Sequence, residues 1–343
     1  MMNCMKLQYI DMNNNHLSVT VSITTYNRPQ DLRVCLSALA KQSFKDFKVI
    51  VVNGGDAQPV AATAKDFRLP IEIVQQERKG LVEARNLCWQ RANTDIVCII
   101  DDDLLVSENW LNEIINTFNS DPKIAGVTGP TVIGWERSGN RDAIALIEKF
   151  TKGNFFWRAA GRFYLGFIME GRAKEVGRIL DCGTFSLGSN YPDSLQQKES
   201  FDVDYLEACQ MCLRRPLIER AGGFDYRYTG TGEWSEPDLA FKIRQLGYRL
   251  VFNPKAAAEH RISQEGVFKK RTYAFERSVN FIAYYFKNIS PRTPRKLIRF
   301  YAFLVYMNCY WLFKAVNSKN LNWLTGLSGT VYGLLTKGLL KLQ

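Results

Sequence analysis

Three consecutive carboxylates, Asp101-Asp102-Asp103, follow the apolar run Ile96-Val97-Cys98-Ile99-Ile100. Like charges this close repel, and at the end of an apolar strand they are costly to bury without a cation. A hard divalent ion takes oxygen ligands, typically one or two carboxylates plus substrate phosphates. The Asp101-x-Asp103 spacing therefore suits Mg2+ or Mn2+ held together with a diphosphate. The competing use of such a run is an acidic strand-to-helix turn in which an Asp caps the helix near Ser107. A second acidic cluster is Glu233-Trp234-Ser235-Glu236-Pro237-Asp238. A carboxylate in it could take the proton of an attacking hydroxyl. Its acids could equally do no more than complement a helix dipole, since Pro237 fits a first helical turn.

These residues must be positioned by the elements around them. Residues 17–24 (LSVTVSIT) read as a strand. Residues 29–41 follow with helical spacing through Leu32, Cys35, Leu36 and Leu39. Further strands are expected at 47–53, 71–75 and 95–101, and helices at 58–67, 80–93 and 107–119. Strands alternating with helices imply a parallel sheet with right-handed crossovers. In open sheets of this kind ligands bind beyond the carboxyl ends of the strands. The unusual polar residues stand at those ends: Thr24-Thr25-Tyr26-Asn27-Arg28, Asn53-Gly54-Gly55-Asp56, Glu77-Arg78-Lys79-Gly80 and the triple aspartate. They are expected to converge on one rim. Residues 131–200 show no clear repeat, and their aromatic stretch 155–168 fits either a cover over an acceptor site, a membrane contact or a packed helix.

At 343 residues and 46% hydrophobic the chain can bury a large core and is not disordered. The charge is uneven. Residues 268–343 hold 13 Lys/Arg and one acid, Glu276, a net +12 that leaves −1 on residues 1–267 of the chain's +11. A basic, aromatic tail suits an anionic surface, membrane or nucleic acid. Its uncharged stretches, 300–313 and 320–336, are short or polar for a bilayer span of about 20 apolar residues. An interfacial segment at an anionic membrane fits better, with packing on the rest of the chain as the alternative. The eight scattered cysteines have no zinc-type framework and read as reduced thiols of a cytosolic protein. No signal peptide is expected from the N-terminal residues.

The stretches VSITTYNRPQDLRVCLSAL, VIVVN and GLVEARNLCWQRANTDIVCIIDDDLLVSENWL, with YLEACQMCLRRPLIERAGGFD and EWSEPDLAFKIRQLGYRLVFNPKAAAEH further on, resemble the family 2 glycosyltransferases over about residues 17–265. The resemblance implies a GT-A fold, a Rossmann-like, mostly parallel α/β sheet flanked by helices. Residues 1–16 would be an N-terminal extension. Residues 17–130 would be the nucleotide-sugar half and 131–265 the acceptor half. Residues 266–343 would form a helical basic appendage, peripheral at the cytoplasmic face of a membrane through 290–343. The family places Thr24, Tyr26, Arg28 and Asn53 on the nucleoside. Asn53 stands where the family usually has Asp, which puts the usual uridine preference in doubt because an amide both donates and accepts. Arg85, in the A-R-N segment, would lie near the diphosphate, whose oxygens an Arg fork suits. It could instead pair with a carboxylate. Asp103 matches the metal-binding Asp, Asp102 the position on ribose or donor sugar, and Asp101 completes the run. Aligned on Asp238-Leu239, Glu236 stands where the family has its catalytic Asp, with Asp238 as the alternative base. His260 stands where some relatives use a His on the metal, and an imidazole there suits Mn2+ better than Mg2+. The expected reaction is inverting transfer from a nucleotide-sugar to a lipid-linked or surface glycan. No Q-x-x-R-W of the processive synthases is present.

The rival readings are weaker on the residues. A dehydrogenase needs G-x-G-x-x-G after the first strand, where TTYNRP stands. A nucleic-acid or membrane binder without catalysis explains the tail but not two acidic clusters in the −1 segment. A degenerate transferase that binds without reacting would account for Asn53 and Glu236.

Overall fold

The computed structural model describes residues 17–133, 149–263 and 272–336. The expected extension over 1–16 and the ends of the tail lie outside the described residues. The first half follows the expected alternation: β1 (Val19–Thr25), α1 (Pro29–Ala40), β2 (Phe47–Asn53), α2 (Ala57–Lys65), β3 (Ile71–Gln75), α3 (Leu81–Arg91) and β4 (Ile96–Asp101). Pro29 starts α1, where its missing N–H costs nothing. Asp56 caps α2 through its carboxylate on the Gln58 amide. The strands alternate two apolar faces, as a sheet covered on both sides requires.

The second half is less regular. A short strand β5 (Leu104–Val106) leads to α4 (Trp110–Ser120), β6 (Ile124–Thr128) and β7 (Thr131–Ile133). Then come α5 (Phe155–Gly161), a π-helical turn over Arg162–Ile168, β8 (Phe201–Val203), β9 (Gln210–Arg214) and α6 (Arg215–Arg220). Last are α7 (Ser235–Gln245), β10 (Arg249–Phe252), β11 (Ala258–His260), α8 (Ala274–Asn288), α9 (Pro294–Asn317) and α10 (Thr325–Thr336).

The main sheet has the order β3-β2-β1-β4-β9-β6-β10-β8. It is mostly parallel, but β9 runs antiparallel between β4 and β6, and β8 antiparallel at the edge. A second sheet, β5-β11-β7, sits beside it. The inserted β9 and the small sheet depart from a simple alternating pattern, and both matter to the site. One face of the main sheet packs on α1 and α4 through Leu32, Leu36, Trp110 and Phe118. The other packs on α3, α7 and the tail through Cys88, Trp234, Leu239, Phe281 and Phe300.

The tail is thus part of the core. Phe281, Tyr284 and Tyr285 of α8 and Phe300, Leu304 and Trp311 of α9 are buried, and each such side chain contributes about 1.5–3 kcal/mol. A tail that is only a membrane appendage is corrected: its inner faces cover the sheet. The outer face of α9 is a separate matter. No described helix is long and apolar enough to cross a membrane.

Candidate active site

Register brings the polar strand ends together. Thr24 lies opposite Asp101, Thr25 opposite Asn53, and Asn53 opposite Gln75. The small sheet adds a fourth component: β11 pairs with β5 so that His260 stands opposite Leu104, the residue after the triple aspartate. The ligand-type atoms of Asp101, Asp103 and His260 consequently lie within 4.8 Å of one another.

The three aspartates have different neighbours. Asp101 ends β4 at the rim, and the Thr24 hydroxyl lies 3.4 Å from its carboxylate. Burial and the adjacent Asp103 raise its pKa. Asp102 is turned inward. Its carboxylate takes the Thr25 hydroxyl at 2.6 Å and the Arg28 guanidinium at 2.6 Å. Asp102, expected on ribose or donor sugar, is buried against Thr25 and Arg28, while Asp101 ends β4 at the rim. Asp103 receives the Ser263 amide at 2.8 Å and Arg28 at 3.3 Å, with His260 Nε2 3.2 Å away. Burial works against its charge, yet the His260 hydrogen bond and the charges of His260 and Arg28 hold its pKa at about 2. His260 is raised well above its ordinary value, because Cys209 and Asp103 outweigh burial.

The donor set fits a divalent ion. Asp103 Oδ1 is buried with the His260 imidazole beside it, at 3.2 Å, and two carboxylates and that imidazole face one space. A group of this kind suits Mn2+ as well as Mg2+.

The residues expected on the nucleoside divide in two. Tyr26 is exposed at the rim, 40% accessible, beside Gly54. Arg28 is committed to Asp102 and Asp103. Asn53 is buried, and its amide is spent on its own turn: Nδ2 donates to the Asp56 carbonyl at 3.0 Å and Gln75 Oε1 at 2.9 Å, and Oδ1 accepts the Gly55 amide at 3.0 Å. Asn53, expected on the nucleoside, shapes the 53–56 turn through these bonds. Gly55 is required there, since a Cβ would fall 2.8 Å from the Asn27 backbone nitrogen.

Arg85 is the joint between the two acidic clusters. It is buried and forms an ion pair with Glu236, and Ser235 Oγ lies 3.4 Å away. Its charge also reaches Asp101, where it opposes the rise in pKa. The next residue, Asn86, binds both sides of Phe224 in the Gly222-Gly223-Phe224-Asp225 turn, at 2.9 and 3.0 Å. A single turn of α3 thus holds both acceptor-side segments.

Glu236 itself is buried at the start of α7, and burial raises its pKa against the pull of Arg85. Trp234, just before it, has a left-handed backbone with φ of 78°, rare for a bulky residue. Its ring is held by Phe281 and Tyr284 at centroid distances of 5.0 and 5.2 Å. Strain of this sort persists only where the surroundings over-determine it.

Asp238 points away from this site. It takes Lys287 at 2.8 Å, Asn288 at 2.8 Å, Lys242 at 3.2 Å and the Tyr228 hydroxyl at 3.2 Å. Glu233 pairs with Arg277 at 2.7 Å. Asp238, expected as the alternative base, is through these contacts the hub that fastens α8 to α7. Asp238→Ala is expected to lower stability by about 3 kcal/mol, because it takes one of two carboxylates from Lys287, which keeps Asp225, and the carboxylate partner from the buried Asn288. Denaturant titration of the variant measures this. A loss below about 0.5 kcal/mol would show that the hub is not structural.

Sequence reasoning passed over several members of the site. Glu207 lies three residues before the start of β9, and its carboxylate accepts from Ser189, from Tyr205 at 3.2 Å and from Asn190 at 3.4 Å. Ser263, whose amide holds Asp103, was equally unmarked. Glu207 stands in the quoted stretch YLEAC, and its acid among apolar residues was the available signal.

The main sheet, with its acidic strand end, is that of a GT-A glycosyltransferase that uses a nucleotide-sugar. The mannosyltransferase PcManGT from Pyrobaculum calidifontis, in complex with GDP-Man and Mn2+, superposes with a TM-score of 0.52 at 17% identity, over 97% of this chain and 90% of that one. TarS 1-349 from S. aureus, in complex with UDP-GlcNAc, superposes with a TM-score of 0.56 at 13% identity, over 94% and 81%. The model of glycosyl transferase family 2 matches residues 20–186 of the chain. The glucosyl-dolichyl phosphate glucuronosyltransferase of Haloferax volcanii is 20% identical over 259 residues, 72% of this chain and 70% of that protein.

Proposed function

We propose that this glycosyltransferase adds one sugar per encounter to a hydroxyl of a lipid-linked or growing glycan, with inversion at the anomeric carbon. The observation that carries this reading is the Arg85 joint. It brings a buried carboxylate, Glu236, beside the cluster of Asp101, Asp103 and His260. In this reading Glu236 takes the proton of the acceptor hydroxyl. The acceptor oxygen forms a bond to the anomeric carbon as the bond to the diphosphate oxygen breaks, and the diphosphate leaves with the electron pair. Inversion needs only one base, unlike the two-carboxylate hydrolases. Asp101, Asp103 and His260 would hold a divalent ion, which when bound supplies Lewis-acid stabilisation of the leaving diphosphate.

Tyr26, at the exposed end of β1, is placed to stack on the nucleoside, with Thr24 beside Asp101. Arg28 orients Asp102 and Asp103 and favours their charged forms, although at Asp102 burial outweighs it. Arg85 sets the position of Glu236, and its charge, which favours the ionised form of Asp101, would act on the diphosphate as well. The catalytic unit is assigned to residues 17–265, with 266–343 as its brace. A lipid-linked acceptor is supported by the dolichyl phosphate named in the Haloferax relative. Single addition is supported by the missing Q-x-x-R-W.

A panel of UDP- and GDP-sugars, each with and without Mn2+, tests donor use by thermal shift. One donor class is expected to raise the melting temperature only when Mn2+ is present, since a ligand bound to the native state stabilises it by mass action. If no nucleotide-sugar shifts the transition in either condition, the donor reading fails.

A further inference from the structure

The long helix α9 is apolar on both of its faces. Phe300, Leu304, Met307 and Trp311 point into the core. Ile298, Tyr301, Val305, Leu312, Phe313 and Val316 point out and are exposed. At about 100° per residue these six fall within one third of the helix circumference, along roughly 27 Å. No charged residue interrupts that sector. A helix apolar all round is normally buried all round, and among the described residues nothing covers this stripe.

Two neighbours extend the surface. The π-helical turn flanks α9, with Tyr164 against Tyr306 at a centroid distance of 4.2 Å. Just before that turn, α5 presents Phe155, Phe156 and Trp157, the second of them 79% exposed. Basic residues bracket the stripe, Arg292, Arg295 and Lys296 before it and Lys314 and Lys319 after or within its last turn, and the chain has no acid beyond Glu276.

We propose that the outer face of α9, together with the aromatic start of α5, docks in the headgroup region of an anionic lipid bilayer. The helix would lie in the plane of the interface with its apolar stripe in the acyl boundary. The aromatic rings would sit at headgroup depth. The basic residues at the two ends would meet the anionic headgroups. Charge argues against a second copy of the chain as the occupant. Pairing this face with itself would bring two stretches with no acid and many cations together.

Deleting residues 290–343 does not test the proposal, because the deletion removes Phe300, Leu304 and Trp311 from the core. The test uses the full chain and the paired substitution V305E and V316E, both on the exposed side. Flotation is measured with vesicles of phosphatidylcholine alone and with phosphatidylglycerol added. The wild type is expected to float with the anionic vesicles, less with the neutral ones, and less as salt rises. The double variant is expected to lose about tenfold or more of that binding while its melting temperature stays unchanged. Equal flotation of variant and wild type would overturn the proposal, as would a wild type that never floats. A wild-type dimer on size exclusion that the substitutions dissociate, without vesicle binding, would assign the face to self-association and overturn it too. None of these outcomes depends on the transfer chemistry.

Discussion

Asp103→Ala abolishes the Mn2+-supported binding of a nucleoside diphosphate. Asp103 is the member of the cluster with the most preformed charge, since His260 and Arg28 keep its carboxylate ionised down to a pKa of about 2. Even the partners that only orient a metal's ligands typically cost 10- to 100-fold in affinity when removed, roughly, so loss of a ligand itself should exceed that. Titration calorimetry of UDP and GDP, each with Mn2+ and with a chelator, reads the effect directly. Asp103→Asn separates shape from charge: it keeps the volume and can still accept from Ser263, but it should bind metal as poorly as the alanine variant. Diphosphate binding that needs no metal and survives both substitutions would remove the metal from the site. Asp102→Ala gives a useful contrast. Asp102 is committed to Thr25 and Arg28, so its loss should show first in stability.

The second large effect falls on the acceptor side. Glu236→Gln should leave donor affinity within about twofold and lower the transfer rate by about 10^2 to 10^4, the usual range for loss of a general base. Glutamine is isosteric and can still meet Arg85, so the fold of the site is kept. The pH profile gives a second reading. Burial places the Glu236 carboxyl above its ordinary value. The base form is therefore lost as pH falls through that raised value, and wild-type transfer should decline on the acid side earlier than for a free carboxylate. The glutamine variant should lack that limb. Residual transfer near the wild-type rate would put the base outside 233–238, because Asp238 is tied to Lys287 and Glu233 to Arg277.

Much of the donor half was legible because its determinants are local. The apolar strand runs at 19–25, 47–53 and 96–101 and the helical spacing of Leu32, Leu36 and Leu39 each lie within one element, and the strands end where the polar residues begin. The acidic rim follows from that geometry alone. What could not be read depends on contacts through space. Nothing near Arg85 announces Glu236, which lies 151 residues on. Asp101 and Asp102 are chemically identical, and only the arrival of Thr25 and Arg28 decides which faces inward. Asn53 looked like a base reader because its amide can donate and accept, and the same property lets it close its own turn. The tail misled because an apolar, basic segment has the same composition whether it covers a sheet or a bilayer. In α9 one face covers the sheet and the opposite apolar face is exposed.

The fastening of α7 by α8 also bears on how the molecule is made. Strands β1, β2 and β3 find all their sheet neighbours within residues 19–101, so that part of the rim can settle while the chain is still growing, and only β4 waits for β9 on its far side. The carboxylate of Glu236 sits on a segment whose anchor, Lys287 on Asp238, comes 49 residues later. At a ribosomal rate of about 5–20 residues per second, several seconds separate them. A nascent chain in that interval would hold the donor rim without a fixed base. Chemistry would then begin only when the last helices have left the ribosome, and quality control acting on an incomplete chain would meet an enzyme that is not yet one.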